Sequence, residues 1–199
     1  MDSLSTCFKD RQMPIGNSVA VPYVVQHLMK RGPQRVLDLG IGFGMYGAVV
    51  RQWHDRGVRP WRTHLTGVEV FADYRNPTWD LYDEVFVGTI DEFLKSATGK
   101  FDCVILADVI EHFEKPTGRD LLKTLRPIVP PTGSLVVVTP AIFREQAAVH
   151  GNAYEIHRSG WRPDDFRQCG CNVILDGTEQ PGFEPTLLAT WEHDTNIGR

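Results

Sequence analysis

The sequence predicts an α/β fold: a mostly parallel sheet of seven strands, helices on both faces, and an antiparallel last strand. Three observations carry this. Short aliphatic runs alternate with segments of helical period along the chain, the order expected of a parallel sheet with crossover helices. Val104-Ile105-Leu106 and Val136-Val137-Val138 are apolar at every position, as strands covered on both faces are. The last two runs are joined only by GTEQPGFEP, too short for a helical crossover, so they pair as an antiparallel hairpin.

Each element has its own signal. Residues 18–31 read as a helix, with Ser18 a candidate cap and Gly32-Pro33 a stop. RVLDLG is strand one, and 45–56 a helix ending near Gly57. THLTGVEV and DEVFVG are strands two and three, followed by a short helix over 91–97. FDCVILAD is the fourth and most apolar strand. A helix over 117–126 halts before Pro127, and GSLVVVTP is the fifth strand. A short helix over 163–169, then CNVILD and TLLATWEH, complete the order.

The 199 residues suit one domain, 1–199, with 1–16 an N-terminal extension. The one long irregular stretch, 140–162, reads as a lid or binding loop. No apolar run is long enough to cross a bilayer, and the first residues lack a signal-peptide core, so a cytoplasmic location without membrane contact is expected. Net charge is −4. Mild basic clusters at Lys30–Arg35 and Arg51–Arg62 read as solvated helix ends and loops, and no basic stripe argues for nucleic acid. Cys169 and Cys171 are too few and too close for a zinc site, so all four cysteines are expected as reduced thiols and no metal is expected.

Chemistry begins at VLDLGIGFGMYG, residues 36–47. Two spacings overlap there. Gly40, Gly42 and Gly44 form G-x-G-x-G; Gly42, Gly44 and Gly47 form the dinucleotide spacing G-x-G-x-x-G. Polar residues at the carboxyl ends of the strands (Asp38, Glu69, Thr89, Asp108, Thr139) place a ligand at that edge. A diphosphate wants a helix N-terminus without a carboxylate beside it. Asp38 therefore favours a cationic ligand over a dinucleotide, and S-adenosylmethionine (SAM), with its ammonium and sulfonium, is one. Backbone bonding is the structural alternative for Asp38. Glu69 suits ribose hydroxyls in either ligand. The Y-x-x-x-K pair of short-chain dehydrogenases is absent, since Tyr154 is followed by Arg158.

VLDLGIGFG, GVEV, FDCVILADVIEHF and LVVVTP, in that order, resemble the class I SAM-dependent methyltransferases over roughly residues 17–193. The resemblance implies a Rossmann-like sheet. It also implies that Asp38 and the turn of Gly40, Gly42 and Gly44 face the methionine part of SAM, that Glu69 binds ribose and that Val70 packs on adenine. Many members carry an acid after the glycine ending strand three. Here Gly88 is followed by Thr89 and Ile90, leaving Thr89 or nearby Asp91 to bond adenine. Asp108 is implied beside the transferred methyl. GNAYEIHRSGW, residues 151–161, resembles a pattern in bacterial members of this size, and makes Asn152, Tyr154, His157 and Trp161 candidate acceptor contacts.

A hydroxyl acceptor must lose a proton, for which His157 is the first candidate base and His112 the second, with Asp108 orienting. A satisfied helix-start ring is the other reading of His112, packing the other reading of Trp161, and a helix-face carboxylate the reading of Glu111. The expected activity is methylation of a small molecule at a hydroxyl, on a natural product or glycan. An RNA or protein methyltransferase and a non-catalytic SAM-binding module stand as alternatives. Oligomeric state is left open, a homodimer included.

Overall fold

A computed structural model describes residues 18–149, 151–177 and 184–193. The expected extension, 1–16, lies outside the described residues, as does most of the linker between the last two strands.

After a single 3-10 turn at Ser18–Ala20, α1 spans Val21–Arg31. Gly32 ends it in the left-handed region (φ 61°), its N–H returning to Leu28 O. Ser18 opens the 3-10 turn rather than capping α1, whose N-cap is Ala20 with no side-chain bond. Then follow β1 (Arg35–Leu39), α2 (Met45–Val49), β2 (His64–Glu69), β3 (Glu84–Val87), α3 (Ile90–Ser96), β4 (Cys103–Ala107), α4 (Lys115–Leu125) and β5 (Ser134–Pro140). The chain closes with α5 (Pro163–Gln168), β6 (Asn172–Asp176) and β7 (Thr186–Glu192). The helix expected over 45–56 is α only to Val49 and continues as a π turn over Val50–His54. α4 begins two residues earlier than expected, with Pro116 in its first turn, where the missing N–H costs nothing.

The seven strands form one sheet ordered β3-β2-β1-β4-β5-β7-β6. The first five are parallel; β7 runs antiparallel to both β5 and β6. Alternation along each strand builds two cores. Leu37, Leu39, Val104, Leu106, Leu135 and Val137 pack with α4 and α5 residues on one face. Val36, Cys103, Ile105, Val136 and Val138 pack with α1 and α2 on the other. By this parity Asp38 points into the α1–α2 layer.

Arg51 departs from the solvated reading of its cluster. It is buried, stacks 3.9 Å from the Trp61 ring, and donates to Asp55 (2.8 Å), Asp83 (2.7 Å) and the carbonyls of Thr63 and Leu81. A guanidinium has enough donors to be fully bonded, which is how a buried charge is tolerated. No described helix is long and apolar enough to cross a membrane.

Candidate functional site

The carboxyl ends of the parallel strands open into a cavity of about 1290 Å³. It is lined by the glycine turn, the ends of β2, β3 and β4, and the loop after β5. β1 is the middle of the five parallel strands, so the cavity has two sides: β2 and β3 on one, β4 and β5 on the other.

The turn after β1 is built from backbone. Gly40 N and Ile41 N share Val68 O, at 2.8 and 3.1 Å. Gly40, Gly42 and Gly44 have φ of 74°, 50° and 82°. A Cβ on Gly42 would meet nothing within 4 Å, because it would project into the cavity; one on Gly44 would stand 2.7 Å from Thr78 Oγ1. Gly40 and Gly42 line the cavity, whereas Gly44 lies behind it. Gly44 therefore serves the turn's fold, not its ligand face.

Glu69 accepts from Gly42 N (2.8 Å) through Oε2 and from Phe71 N (2.9 Å) through Oε1. It lines the cavity while tying the turn to the end of β2. Burial raises its carboxyl above the ordinary value, against those bonds. Val70, Thr89, Ile90 and Asp91 continue this wall. Thr89 caps α3: its hydroxyl donates to Glu92 Oε2 (2.8 Å) and accepts from Glu92 N (3.2 Å). That hydroxyl gives its proton to the cap and can only accept further, with exposed Asp91 two residues on.

Asp38 corrects an expectation. Its side chain does not line the cavity. It accepts from Tyr82 OH at 2.6 Å, and that phenol in turn accepts from Gly47 N at 3.0 Å. Burial pushes the Asp38 carboxyl up to about 7, with the Tyr82 bond opposing. Asp38 therefore stands behind the turn, bonded to Tyr82 and out of contact with the cavity. Tyr46 lines the cavity, and its phenol is raised by burial and by the charges of Asp108 and Asp38. Its buried OH is unpartnered within the described protein.

The other side is built on β4. Asp108 lines the cavity and holds φ of 52°, an unusual conformation for a non-glycine residue, where strain persists only if the surroundings impose it. Its N–H reaches across to Val138 O at 2.9 Å. The one-turn 3-10 segment Ile110–His112 follows. Glu111, read as a helix-face carboxylate, lies buried in this turn, 4% exposed, and accepts from Thr139 Oγ1 at 2.8 Å. Burial, then the charge of Asp108, holds its carboxyl well above the usual range. His112 bonds Ile156 O through Nδ1 (3.3 Å), and burial followed by the neighbouring His157 pushes its ring down to about 4. The His112 and His157 rings lie 4.9 Å apart, and His157 bonds Arg144 O through Nδ1 (2.8 Å).

The loop after β5 covers this side, and its described residues carry a β-bridge between Val149 and Asn152 and a 3-10 turn at Ala153–Glu155. Asn152 is buried in the cavity wall; its Oδ1 accepts from Tyr154 N (3.0 Å) and its Nδ2 donates to Tyr74 OH (3.4 Å). Tyr74 OH donates to Glu155 Oε1 at 2.9 Å, latching the loop to the segment after β2. Tyr154 is exposed at the cavity rim. Trp161 is the second correction. It is 1% exposed, stacks on Phe166 at 5.0 Å, and donates to Ser159 Oγ at 3.0 Å, away from the cavity. It is packing, not an acceptor contact.

Sequence reading missed Tyr46, Tyr74 and Tyr82. Tyr74 and Tyr82 come from the irregular stretch between β2 and β3, where no period marks an inward side chain. Tyr46 stood beside the last glycine of the motif, the signal that could have found it.

The cavity's chemistry fits SAM. A turn with no Lys or Arg, flanked by Glu69, Asp108 and the more distant Asp38, suits a cation over a diphosphate. Unpartnered Tyr46 OH offers a bond to the ligand's amino-acid end, and Gly42 leaves the close approach open.

The chain matches the model of the methyltransferase domain over residues 18–171. No curated protein matches it. An O-methyltransferase family protein from Burkholderia thailandensis superposes with a TM-score of 0.60 at 19% identity, over 87% of this chain. The chain spans 56% of that protein's length. A 1,6-didemethyltoxoflavin-N1-methyltransferase from the same organism, crystallised with 1,6-didemethyltoxoflavin and S-adenosylhomocysteine, gives 0.60 at 16% identity, over 87% and 76% of the two chains. The N-methyltransferase NodS from Bradyrhizobium japonicum gives 0.54 at 16%, over 87% and 96%.

Proposed function

The chain belongs to the methyltransferase-domain family of class I, and from that premise we propose that it moves a methyl group from SAM to a hydroxyl of a small molecule. SAM supplies an electrophilic methyl on a sulfonium. The protein's share is alignment, which is worth about 7–11 kcal/mol when two reactants are held in reacting geometry.

Glu69 takes the ribose hydroxyls, with Val70, Ile90 and Asp91 beside the adenine. The Gly40–Gly42 backbone, Tyr46 and Asp108 hold the amino-acid end, and Asp38 adds negative charge from behind. The acceptor lies on the β4–β5 side, under the 140–162 loop, with Asn152 and Tyr154 at its wall. The observation that carries the hydroxyl reading is the His112–His157 pair. Each ring gives Nδ1 to a backbone carbonyl, so each neutral ring carries its lone pair on Nε2. Two such lone pairs near buried Glu111 form a wall that eases removal of an acceptor proton. An acceptor already ionised needs no such wall. The absence of a basic stripe in the sequence supports a small molecule over nucleic acid.

Calorimetry tests the donor site. S-adenosylhomocysteine binds and NAD does not. Glu69→Ala weakens binding about tenfold or more, the cost of about 1–3 kcal/mol for unpaired hydroxyls. NAD binding in place of S-adenosylhomocysteine refutes the reading. Turnover of a panel of hydroxylated small molecules against amines and RNA tests the acceptor.

A further inference from the structure

The β4 side of the cavity carries a Glu–His–His group that binding of a methyl donor does not use. One ligand atom from each of Glu111, His112 and His157 falls within 4.8 Å of the others. Nitrogen and oxygen ligands held about 2.0–2.2 Å from a metal stand about 3–3.5 Å apart, so side-chain movement of roughly 1–1.5 Å closes the set. Both imidazoles already have the backbone anchor that metal-bound histidines use. Nδ1 of His157 faces Arg144 O (2.8 Å) and Nδ1 of His112 faces Ile156 O (3.3 Å), with the Asp108 carbonyl also against the His112 ring, so the backbone fixes both ring orientations. Glu111 Oε2 is oriented by Thr139 Oγ1. The carbonyl of Glu111 also accepts from Arg158 N (2.8 Å) and Ser159 N (3.0 Å), so the residue carrying the first ligand grips the loop carrying the third. Arg158 is the nearby cation, and it is turned to backbone: Nη1 donates to His112 O and Ile156 O, Nη2 to Ala153 O.

We propose that Glu111, His112 and His157 hold one divalent cation of the manganese-to-zinc series, and that this cation receives the acceptor's hydroxyl oxygen. Two imidazole nitrogens and one carboxylate suit that series better than magnesium or calcium, which favour all-oxygen shells. Three protein ligands leave coordination positions open, as in catalytic rather than structural sites. The proposal rests on the reading of methyl transfer to a hydroxyl, and it says how the proton is removed. Coordination makes an O–H acidic near neutral pH, so the proton passes to water and neither histidine need accept it. The acceptor oxygen then forms the new O–CH₃ bond, the S–CH₃ bond breaks, and its electron pair stays on sulfur as the neutral thioether of S-adenosylhomocysteine. The expected absence of a metal, drawn from the cysteines, did not weigh these residues: Glu111 and His112 are adjacent, but His157 lies over forty positions further along the chain.

The test uses the full chain, stripped with EDTA and desalted, then titrated with Co²⁺ and with Mn²⁺, by visible absorption and by calorimetry. One equivalent of Co²⁺ binds and gives a ligand-field band in the visible. His157→Ala and Glu111→Gln each weaken binding at least tenfold. His64→Ala, next to Asp83 and Glu84 at the amino ends of β2 and β3, leaves it unchanged. Circular dichroism checks the fold of each variant; His157 is only half-buried, so its variant carries the test if Glu111→Gln does not fold. S-adenosylhomocysteine binding is measured alongside. If it is retained while Co²⁺, Mn²⁺ and Zn²⁺ show no saturable uptake, or uptake depends on His64 and not His157, the metal site is overturned and the methyl-donor reading stands. If S-adenosylhomocysteine does not bind either, the donor reading fails with it.

Discussion

Tyr82→Phe destabilises the protein by an amount that grows with pH. The Tyr82 phenol is 7% exposed and makes two bonds, donating to Asp38 Oδ2 at 2.6 Å and accepting from Gly47 N at 3.0 Å. Burial and the Asp38 charge hold the phenol well above its ordinary value, so it stays a donor throughout the range considered. The Asp38 carboxyl titrates at about 7 in the fold against 3.8 unfolded. Its contribution to stability is therefore complete below about 3.8 and is lost as pH rises through about 7. Tyr82's bond lowers the folded value. Removing it pushes that value higher, so the variant keeps losing stability after the wild type has levelled. At pH 6 the loss is the two bonds, about 1–2 kcal/mol. At pH 8.5, some 1.5 units above the wild-type value, it grows by up to about 2 kcal/mol at roughly 1.4 kcal/mol per unit. Urea unfolding at the two pH values, followed by far-UV circular dichroism, measures both. Equal losses at pH 6 and 8.5 refute the reasoning, and so does a pH-dependent loss that survives in an Asp38→Asn background.

Three further outcomes separate binding from folding. Gly42→Ala folds with a loss of about 1–2 kcal/mol from its positive φ and binds S-adenosylhomocysteine at least tenfold more weakly, because the new Cβ enters the cavity; Gly44→Ala, which meets Thr78, loses more stability than Gly42→Ala in the same urea titration. Trp161→Phe lowers stability by about 1–3 kcal/mol through lost packing and the Ser159 bond, while S-adenosylhomocysteine affinity stays within about threefold by calorimetry. Tyr74→Phe releases Glu155 and Asn152, so amide hydrogen exchange rises within 140–162 and not in β1 or β4; unchanged exchange there identifies a loop held by other contacts.

The sequence by itself determined the order of elements, the terminal hairpin and the edge at which the cavity opens. These depend on local signals: period-two and helical apolar patterns, glycines at a tight turn, and polar residues where aliphatic runs stop. It also placed Glu69, Val70, Asp108, Asn152 and both histidines at what proves to be one cavity, because each ends a strand or lies in the loop that follows one. Only the tertiary structure decided what each side chain faces. Asp38 follows the alternation of β1 into the helical layer, where Tyr82, from a segment with no period to read, was waiting for it. Trp161 turned to Phe166 and Lys115 because α4 and α5 offered an apolar wall there. Glu111 lies inward, where Thr139 on the neighbouring strand supplies a donor that no local pattern reveals. His112 and His157 are separated by a helix, a strand and a loop in the chain. Their meeting follows from β4 and β5 being neighbours in the sheet, a pairing of distant segments that no local pattern records.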